Sequence, residues 1–494
     1  AAMRRATTFM TDKVALRGGY VWTYLPDFSR RWGELEAKPS MIWVQPPGTA
    51  TMGHLFLDAF HATGEARYYA AAQGAADALI AGQHPAGGWN YLIDFAGEAS
   101  LKDWYATYGA NAWRMEEFHH FYGNATFDDA GTSEAMQFLL RLYLEKRDAK
   151  YRPALDRAIG YVLESQYSNG GWPQRYPHSE LPPEYPKYIT FNDDVAGENI
   201  KFLVMVHQTL GDARALPAVR RAMESFLVTQ QPAPQPAWGL QHTLDLKPAA
   251  ARSYEPLALA THTTATNLAQ LMSFYELTGE KRFLARVGEG IDWLDKVKLP
   301  APRGGRTHPT FIEIGTDRPI YVHRRGSNVV NGAYYADYSD EKTLGHYSGF
   351  RKVDVAGLRA RYERLKATPP AQAAKGSPLL TKAKVGLPKY FSGQDISTAD
   401  LATVHAVAGP PNGEAVAKIL AELNPDGWWP TPLTATSHPY KGPGPATPTP
   451  GDYASTHVGD DWDTSPYPDP NPVIGISLAK YLENMAALIA WLGR

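Results

Sequence analysis

Apolar residues along this chain recur at spacings of three and four in four paired blocks, the first three of which end at a tryptophan. The first block begins at Leu55, turns at Thr63-Gly64-Glu65, resumes from Ala66 to about Ala81 and ends in Gly87-Gly88-Trp89. A second runs from Ser133 through Leu139, Leu140 and Leu144 to a break near Asp148. It resumes at Pro153 with Leu155, Ile159, Val162 and Leu163 and ends in Gly170-Gly171-Trp172. The third spans roughly Ala196 to Gln231 and ends at Trp238-Gly239, and the fourth covers Thr264 to Lys298 with Thr278-Gly279-Glu280 at its turn. A 3.6-residue period predicts amphipathic helices. Successive helical hairpins bury their apolar stripes only against one another. The predicted fold is therefore all-α: a partial α/α toroid of helical hairpins with a minor β-hairpin and long loops.

After Lys298 the pattern changes. Residues 310–322 carry β-branched and aromatic residues around a turn and predict a short β-hairpin. The Pro-rich stretch 425–472 reads as loop, and Ile476 to Leu492 as a closing helix. The expected organisation is an N-terminal extension that begins the toroid (1–85), a catalytic region (86–345) and a loop-rich C-terminal region with the closing helix (346–494). In such repeats the long loops build the binding face, so chemistry is sought there.

Composition narrows the partners. Over 494 residues, 49 Lys and Arg stand against 51 Asp and Glu, a net charge of −2, which argues against a nucleic-acid binder. No apolar run reaches the ~20 residues of a membrane span, so no membrane partner is expected. With no cysteine there is no disulfide framework, thiolate metal site or cysteine nucleophile. The Ala-Ala-Met-Arg-Arg start lacks a signal-peptide core and suits a cytoplasmic chain or a mature form whose leader was trimmed. Aromatic residues at 12% are consistent with surfaces that stack on sugar rings. Trp22, Trp43 and Trp104, in irregular sequence, are the stacking candidates.

Two acidic clusters stand at the mouths of predicted helices: Thr126-Phe127-Asp128-Asp129-Ala130 and Thr190-Phe191-Asn192-Asp193-Asp194. Helix capping accounts for either one alone. At equivalent places in successive repeats they instead converge on one mouth and supply hard oxygens of the kind Ca²⁺ takes, and a cation would relieve the repulsion of adjacent carboxylates. Glu116 and Glu117 with His119 and His120 offer a second metal-ligand spacing, but such Glu-His pairs are common on solvated helix faces, which is the favoured reading. Asp460, Asp461 and Asp463 around Trp462 read as a sugar subsite or a solvated loop.

One stretch is more specific. Ser165-Gln166-Tyr167-Ser168-Asn169-Gly170-Gly171-Trp172-Pro173-Gln174, followed by Tyr188-Ile189-Thr190-Phe191-Asn192-Asp193-Asp194, resembles the signature of the family 10 pectate lyases. Ala251-Arg252-Ser253-Tyr254-Glu255 resembles that family's Ala-Arg-x-Phe-Glu element, and Glu313 to Arg324 a later segment ending in arginine. The resemblance covers residues 85–330. It implies an α/α toroid and Ca²⁺-assisted β-elimination of a polygalacturonate-like uronic-acid polymer, so the partner is an acidic polysaccharide or oligosaccharide. It further implies Arg252 as catalytic base, Asp129, Asp193 and Asp194 as metal carboxylates, and Arg324, Arg318, Trp172 and Asp128 as substrate-binding residues. A monomer, secreted or periplasmic in its mature form, is expected. The chain departs from the pattern at Asp129, where the family has Asn, at Tyr188, where it has His, and at Thr310, where it has arginine.

Three other readings remain. A glycoside hydrolase on the same scaffold would use paired carboxylates. A non-catalytic glycan-binding protein would follow if Thr310 marks a degenerate site. The pairs Gln166 with Trp172 and Gln231 with Trp238 resemble the Gln-Trp repeats of triterpene cyclases.

Overall fold

The computed structural model describes residues 1–180, 183–326, 333–347, 349–381, 386–391, 411–443, 451–454 and 459–493. A short α1 (Ala2–Phe9) precedes the first hairpin, α2 (Thr49–Thr63) with α3 (Ala66–Ala81), and α4 (Glu98–Thr107) lies in the link that follows. The later hairpins are α5 (Gly131–Lys146) with α6 (Arg152–Ser165), α7 (Val195–Leu210) with α8 (Ala215–Thr229), and α9 (Thr261–Thr278) with α10 (Val287–Lys296). Beyond them come α11 (Val355–Ala367), the single turn α12 (Pro370–Ala373), α13 (Gly413–Glu422) and the closing α14 (Leu478–Leu492).

The four hairpins predicted from periodicity are present, and the protein is mostly helical, 46% helix against 14% strand. Helices α14, α2, α5 and α7 pack side by side as an inner arc, and α9 joins it through α8. The second helix of each hairpin lies outside and spans to the next pair, as α3 does to α5 and α8 to α9. This is a partial α/α toroid, with its apolar stripes facing their neighbours.

The repeated sequence signals have repeated physical jobs. At the Thr-Gly-Glu turns, Thr63 Oγ1 donates to Ala59 O and accepts from Glu65 N, and Thr278 Oγ1 does the same with Phe274 and Glu280. Gly64 and Gly279 take φ of 70° and 72° there, a left-handed closure that favours glycine. The recurring tryptophans are fully buried. Trp89 Nε1 donates to Leu79 O, Trp172 Nε1 to Val162 O, and Trp238 Nε1 to Thr229 Oγ1, each tying down the helix before it. Gln83 and Gln166 bond their own Gly-Gly turn and a residue of the next outer helix, Ala154 and Ala218. The Gln-Trp likeness to terpene cyclases is thus a packing device between outer helices.

The predicted hairpin near 310–322 is found, with Phe311–Ile312 pairing antiparallel to Pro319–Arg324 (Phe311↔Ile320). The stretch 425–472 departs from its loop reading. Thr431–Thr436 and Tyr467–Ser477 form strands paired to each other, and the second also pairs with Thr23–Tyr24. Prolines hid this. Pro432 lies on an edge strand, and Pro468, Pro470 and Pro472 precede Ile476 and Ser477, the two residues that pair with Thr23–Tyr24, so the prolines face only the 431–436 side. Residues 444–450 and 455–458 of that stretch lie outside the described residues. The closing helix begins at Leu478 because Ile476 and Ser477 belong to the strand, and Ser477 Oγ caps the helix by accepting from Lys480 N.

Candidate active site

The short strands that lead into α5 and α7 fix the two acidic turns. Thr126 N donates to Trp89 O and Phe127 N to Gln174 O. One repeat later Thr190 N donates to Trp172 O and Phe191 N to Leu240 O. In both places the next residues form a tight turn, Asp128–Ala130 and Asn192–Asp194, and two consecutive non-glycine residues adopt left-handed backbone. Asp129 and Ala130 have φ of 50° and 57°, Asp193 and Asp194 of 52° and 54°. Such a conformation costs roughly 1–2 kcal/mol per residue. Among the described residues no side chain caps α5 or α7, so the acids are not there as caps.

The third repeat shows what the kink adds. Trp89 is bonded to Thr126 and to Thr132 Oγ1, six residues apart, whereas Trp238 is bonded to Ala260 and to Thr264 Oγ1, four apart. The left-handed pair is missing from that link, and α9 starts directly at Thr261.

Because the two kinked turns touch, carboxylate oxygens of Asp128, Asp129 and Asp193 all lie within 4.8 Å of one another. Asp128 accepts from Tyr91 Oη at 2.5 Å and Gln174 Nε2 at 3.0 Å, Asp129 from Gln45 Nε2 at 2.8 Å, and Asp193 from Asn192 Nδ2 at 2.7 Å. Asp194, expected among the metal ligands, stands outside this group. Successive left-handed residues turn their side chains apart, and Asp194 faces Glu198 and Lys201 of α7 instead. Asp128, expected on the substrate, takes its place in the group.

Arg252 closes the site from the turn that follows strand Pro248–Ala249. It is 4% exposed. Its guanidinium lies 2.9 Å from Glu255, 3.3 Å from Glu117, 3.5 Å from Asp128 and 3.9 Å from Asp193, and donates to Tyr347 Oη at 2.9 Å. Glu255 also accepts from the Arg252 backbone N–H and from Tyr347, and Glu117 accepts from Tyr254 Oη at 2.9 Å. The guanidinium is therefore held on several sides.

Electrostatics divide these groups. Burial opposes the Arg252 charge, but Glu255, Tyr254, Tyr347 and Asp128 outweigh it and hold the group well above its ordinary value. Burial pushes Asp128 up, yet Arg252, Asp193, Tyr91 and Arg175 keep it below the usual carboxylate range. Asp129 and Asp193 are pushed well up by enclosure and then by Asp128. Glu34 is raised to about 7 and Asp194 to about 8, in each case first by burial. Close carboxylates that resist ionising together, each oriented by a donor on its far side, fit a divalent cation bound through hard oxygens.

These groups open into a cavity of about 1150 Å³ in the hollow of the helical arc, walled by residues of α2, α5, α7, α9 and α14. Several expected residues do not reach it. Trp172 is a core wedge. Arg324 is fully buried, its guanidinium 3.6 Å from the centre of the Trp113 ring, because strand Pro319–Arg324 turns that side chain inward. Arg318 lies outside on the surface, stacked 3.5 Å over Tyr338. Trp43 and Trp104 pack edge to face at 6.0 Å, both fully buried, and Trp22 donates to Gln45 O, so this trio supports the floor under Gln45 rather than a sugar ring.

The Glu116 to His120 spacing holds no metal group. Glu116–Phe118 is a short tight turn, Glu116 is bonded to Ser253, and His119 Nε2 to Ala112 O. Asp463 is buried and accepts from Gly459 N and Ser465 N, which makes its loop self-bonded. Sequence reasoning missed Gln45, Glu34, Tyr91, Tyr347 and Arg351. Gln174 and Glu255 stood inside the quoted motifs, and their donors and acceptors were the available signal.

Residues 94–308 match the family model described as pectic acid lyase. No curated protein matches the chain. Among solved structures, a family 10 polysaccharide lyase from Cellvibrio cellulosa is 21% identical, with 62% of this chain and 89% of that chain covered and a TM-score of 0.40. Cellobiose 2-epimerase from Spirochaeta thermophila is 13% identical, covering 60% and 69%, at 0.38. A D-mannose isomerase is 11% identical, covering 63% and 73%, at 0.40.

Proposed function

Since residues 94–308 match the pectic acid lyase family and make this chain a polysaccharide lyase, we propose that it cleaves pectic acid, or a closely related uronic-acid polymer, by calcium-assisted β-elimination. The observation that carries this reading is the meeting of Asp128, Asp129 and Asp193 from two repeats beside the guanidinium of Arg252. A proton α to a carboxylate is barely acidic, so elimination needs positive charge where the enolate-like oxygen develops. Asp128, Asp129 and Asp193 would hold the calcium ion, which supplies that charge and Lewis acidity at the substrate carboxylate.

The chain's own residues do the rest. Gln45, Asn192, Gln174 and Tyr91 aim the carboxylates inward, and Glu255 with Tyr347 holds Arg252 toward the same point. Arg252 is the group we assign to the proton at C5. The surrounding acids keep it protonated at rest, so its base role requires that their field be offset by positive charge held in the acid group and by closure of the site against water. The hollow of the arc, about 1150 Å³, has room for several sugar rings, and we infer from a polymer substrate an enzyme that acts in the periplasm or outside the cell as a monomer. None of the described helices is long and apolar enough to cross a membrane.

The test is to incubate the protein with polygalacturonate and calcium and to follow ultraviolet absorbance of the unsaturated product, with chelator as control. Absorbance that rises with calcium and stops with chelator supports the reading. New reducing ends without absorbance would point to hydrolysis instead, and bound polymer without turnover to a glycan-binding protein.

A further inference from the structure

Among the described residues three basic side chains other than histidine line the cavity: Lys201, Arg252 and Arg351. Lys201 is paired with Glu198 at 3.2 Å, and Arg252 is ringed by four carboxylates. Arg351 differs. Its guanidinium makes no hydrogen bond or ion pair among the described residues, and its Nε is buried without a partner. It lies 5.7 Å from the centre of the Tyr347 ring, with Arg306 and Asp193 near enough to act on its charge. The same tyrosine bonds Arg252 and Glu255 through its hydroxyl, so Tyr347 stands between the two guanidiniums.

The backbone under Arg351 is fixed. Strand Phe350–Arg351 pairs antiparallel with His308–Pro309, Thr307 N donates to Arg351 O at 2.9 Å, and Thr310 N donates to Gly349 O at 3.0 Å. Thr310, which carries no charge, therefore sits on the strand beside Arg351. In the same wall His262 Nδ1 is also buried without a partner. A cavity so rich in carboxylates leaves the Arg351 guanidinium without an ion pair and its Nε without an acceptor among the described residues, which is the complement of a planar anion that arrives from outside.

We propose that Arg351 is a specificity-determining residue that grips a carboxylate of the uronate polymer beside the Arg252 centre, so that the site selects the free acid over its methyl ester. This inference rests on the proposed lyase reading. An ester lacks the charge and one of the two oxygens a guanidinium fork engages, whereas a free carboxylate offers both.

The test uses the full-length protein and its Arg351→Gln and Arg351→Lys variants, assayed with calcium on polygalacturonate and on its highly methyl-esterified counterpart. Loss of a charge-assisted pair predicts that Arg351→Gln raises KM for polygalacturonate by about ten- to a hundredfold, with kcat falling much less. Arg351→Lys should recover part of that, and the preference of the parent protein for the acid over the ester should shrink by the same factor in Arg351→Gln. A KM within about twofold of the parent protein, or a fall in kcat alone, overturns the assignment while leaving the lyase reading intact. A parent protein that forms no unsaturated product from any polyuronate overturns that reading, and the Arg351 assignment with it. Melting temperatures within about 2 °C of the parent protein separate both results from misfolding.

Discussion

Arg252, Glu255 and Tyr347 form a closed set of donors and acceptors, so each is expected to report differently when altered. Arg252→Ala removes the group we place at the C5 proton and should lower turnover of polygalacturonate by about 10²- to 10⁴-fold, measured as unsaturated product. Glu255→Gln keeps the shape but weakens the grip on the guanidinium, so kcat should fall while KM moves little. At the candidate calcium group the sign follows from the raised carboxyls. Asp129 and Asp193 hold protons above the ordinary carboxylate range, and a cation must displace them. Calcium affinity should therefore rise with pH and binding should release protons, both read by titration calorimetry in buffers of different ionisation enthalpy. Asp193→Asn should weaken calcium binding and reduce the proton release. These acids were legible as a cluster, since Asp128, Asp129, Asp193 and Asp194 lie in two repeated strings. Which three converge was not. That depends on a left-handed pair that no residue type announces, because Ala130 and Asp194 are not glycines.

At the scale of elements, the hairpins were readable because each rests on local periodicity, and three of the four also on a Thr-Gly-Glu turn or a Gly-Gly-Trp end. The Pro-laden strands near the C-terminal end were not, because they pair with each other across 31–44 residues and one of them with Thr23–Tyr24 hundreds of residues away, and edge positions tolerate proline. The tryptophan wedges make a direct test of packing against binding. Trp172→Phe loses the bond to Val162 O and part of a fully buried ring system, which should destabilise the protein by about 1–3 kcal/mol in urea while leaving KM unchanged. The kink offers the opposite sign. Ala130→Gly relieves left-handed strain and loses some through unfolded-state entropy, with a net gain of about 0.5–1 kcal/mol.

Across the whole molecule, the hollow of the arc gathers carboxyls faster than bases. Glu34 and Glu134 are raised to about 7 and Asp194 to about 8, each chiefly by burial. A carboxyl with a raised value binds its proton more tightly when folded than when unfolded, so its ionisation subtracts stability as pH climbs from about 4 to about 8. In chelator the melting temperature should be lower at pH 8 than at pH 5, and calcium should narrow that gap by binding the folded form. The identity of the hollow as a site was only partly legible. Gln45 and Glu34 lie before residue 85, and Tyr347 and Arg351 after residue 330, where the motifs fall silent and only three-dimensional closure brings them in.

The tighter link at Trp238 has a consequence for how such centres arise and vanish. Trp89 and Trp238 are clamped in the same way although only the first of these doorways carries the extra pair of residues, so reactivity and architecture are separately editable. Removing the two left-handed residues from the 126–132 link should silence that doorway while leaving the clamp and the interior in place. Kin of this chain with sound scaffolds and mute doorways would be the natural by-products of that economy.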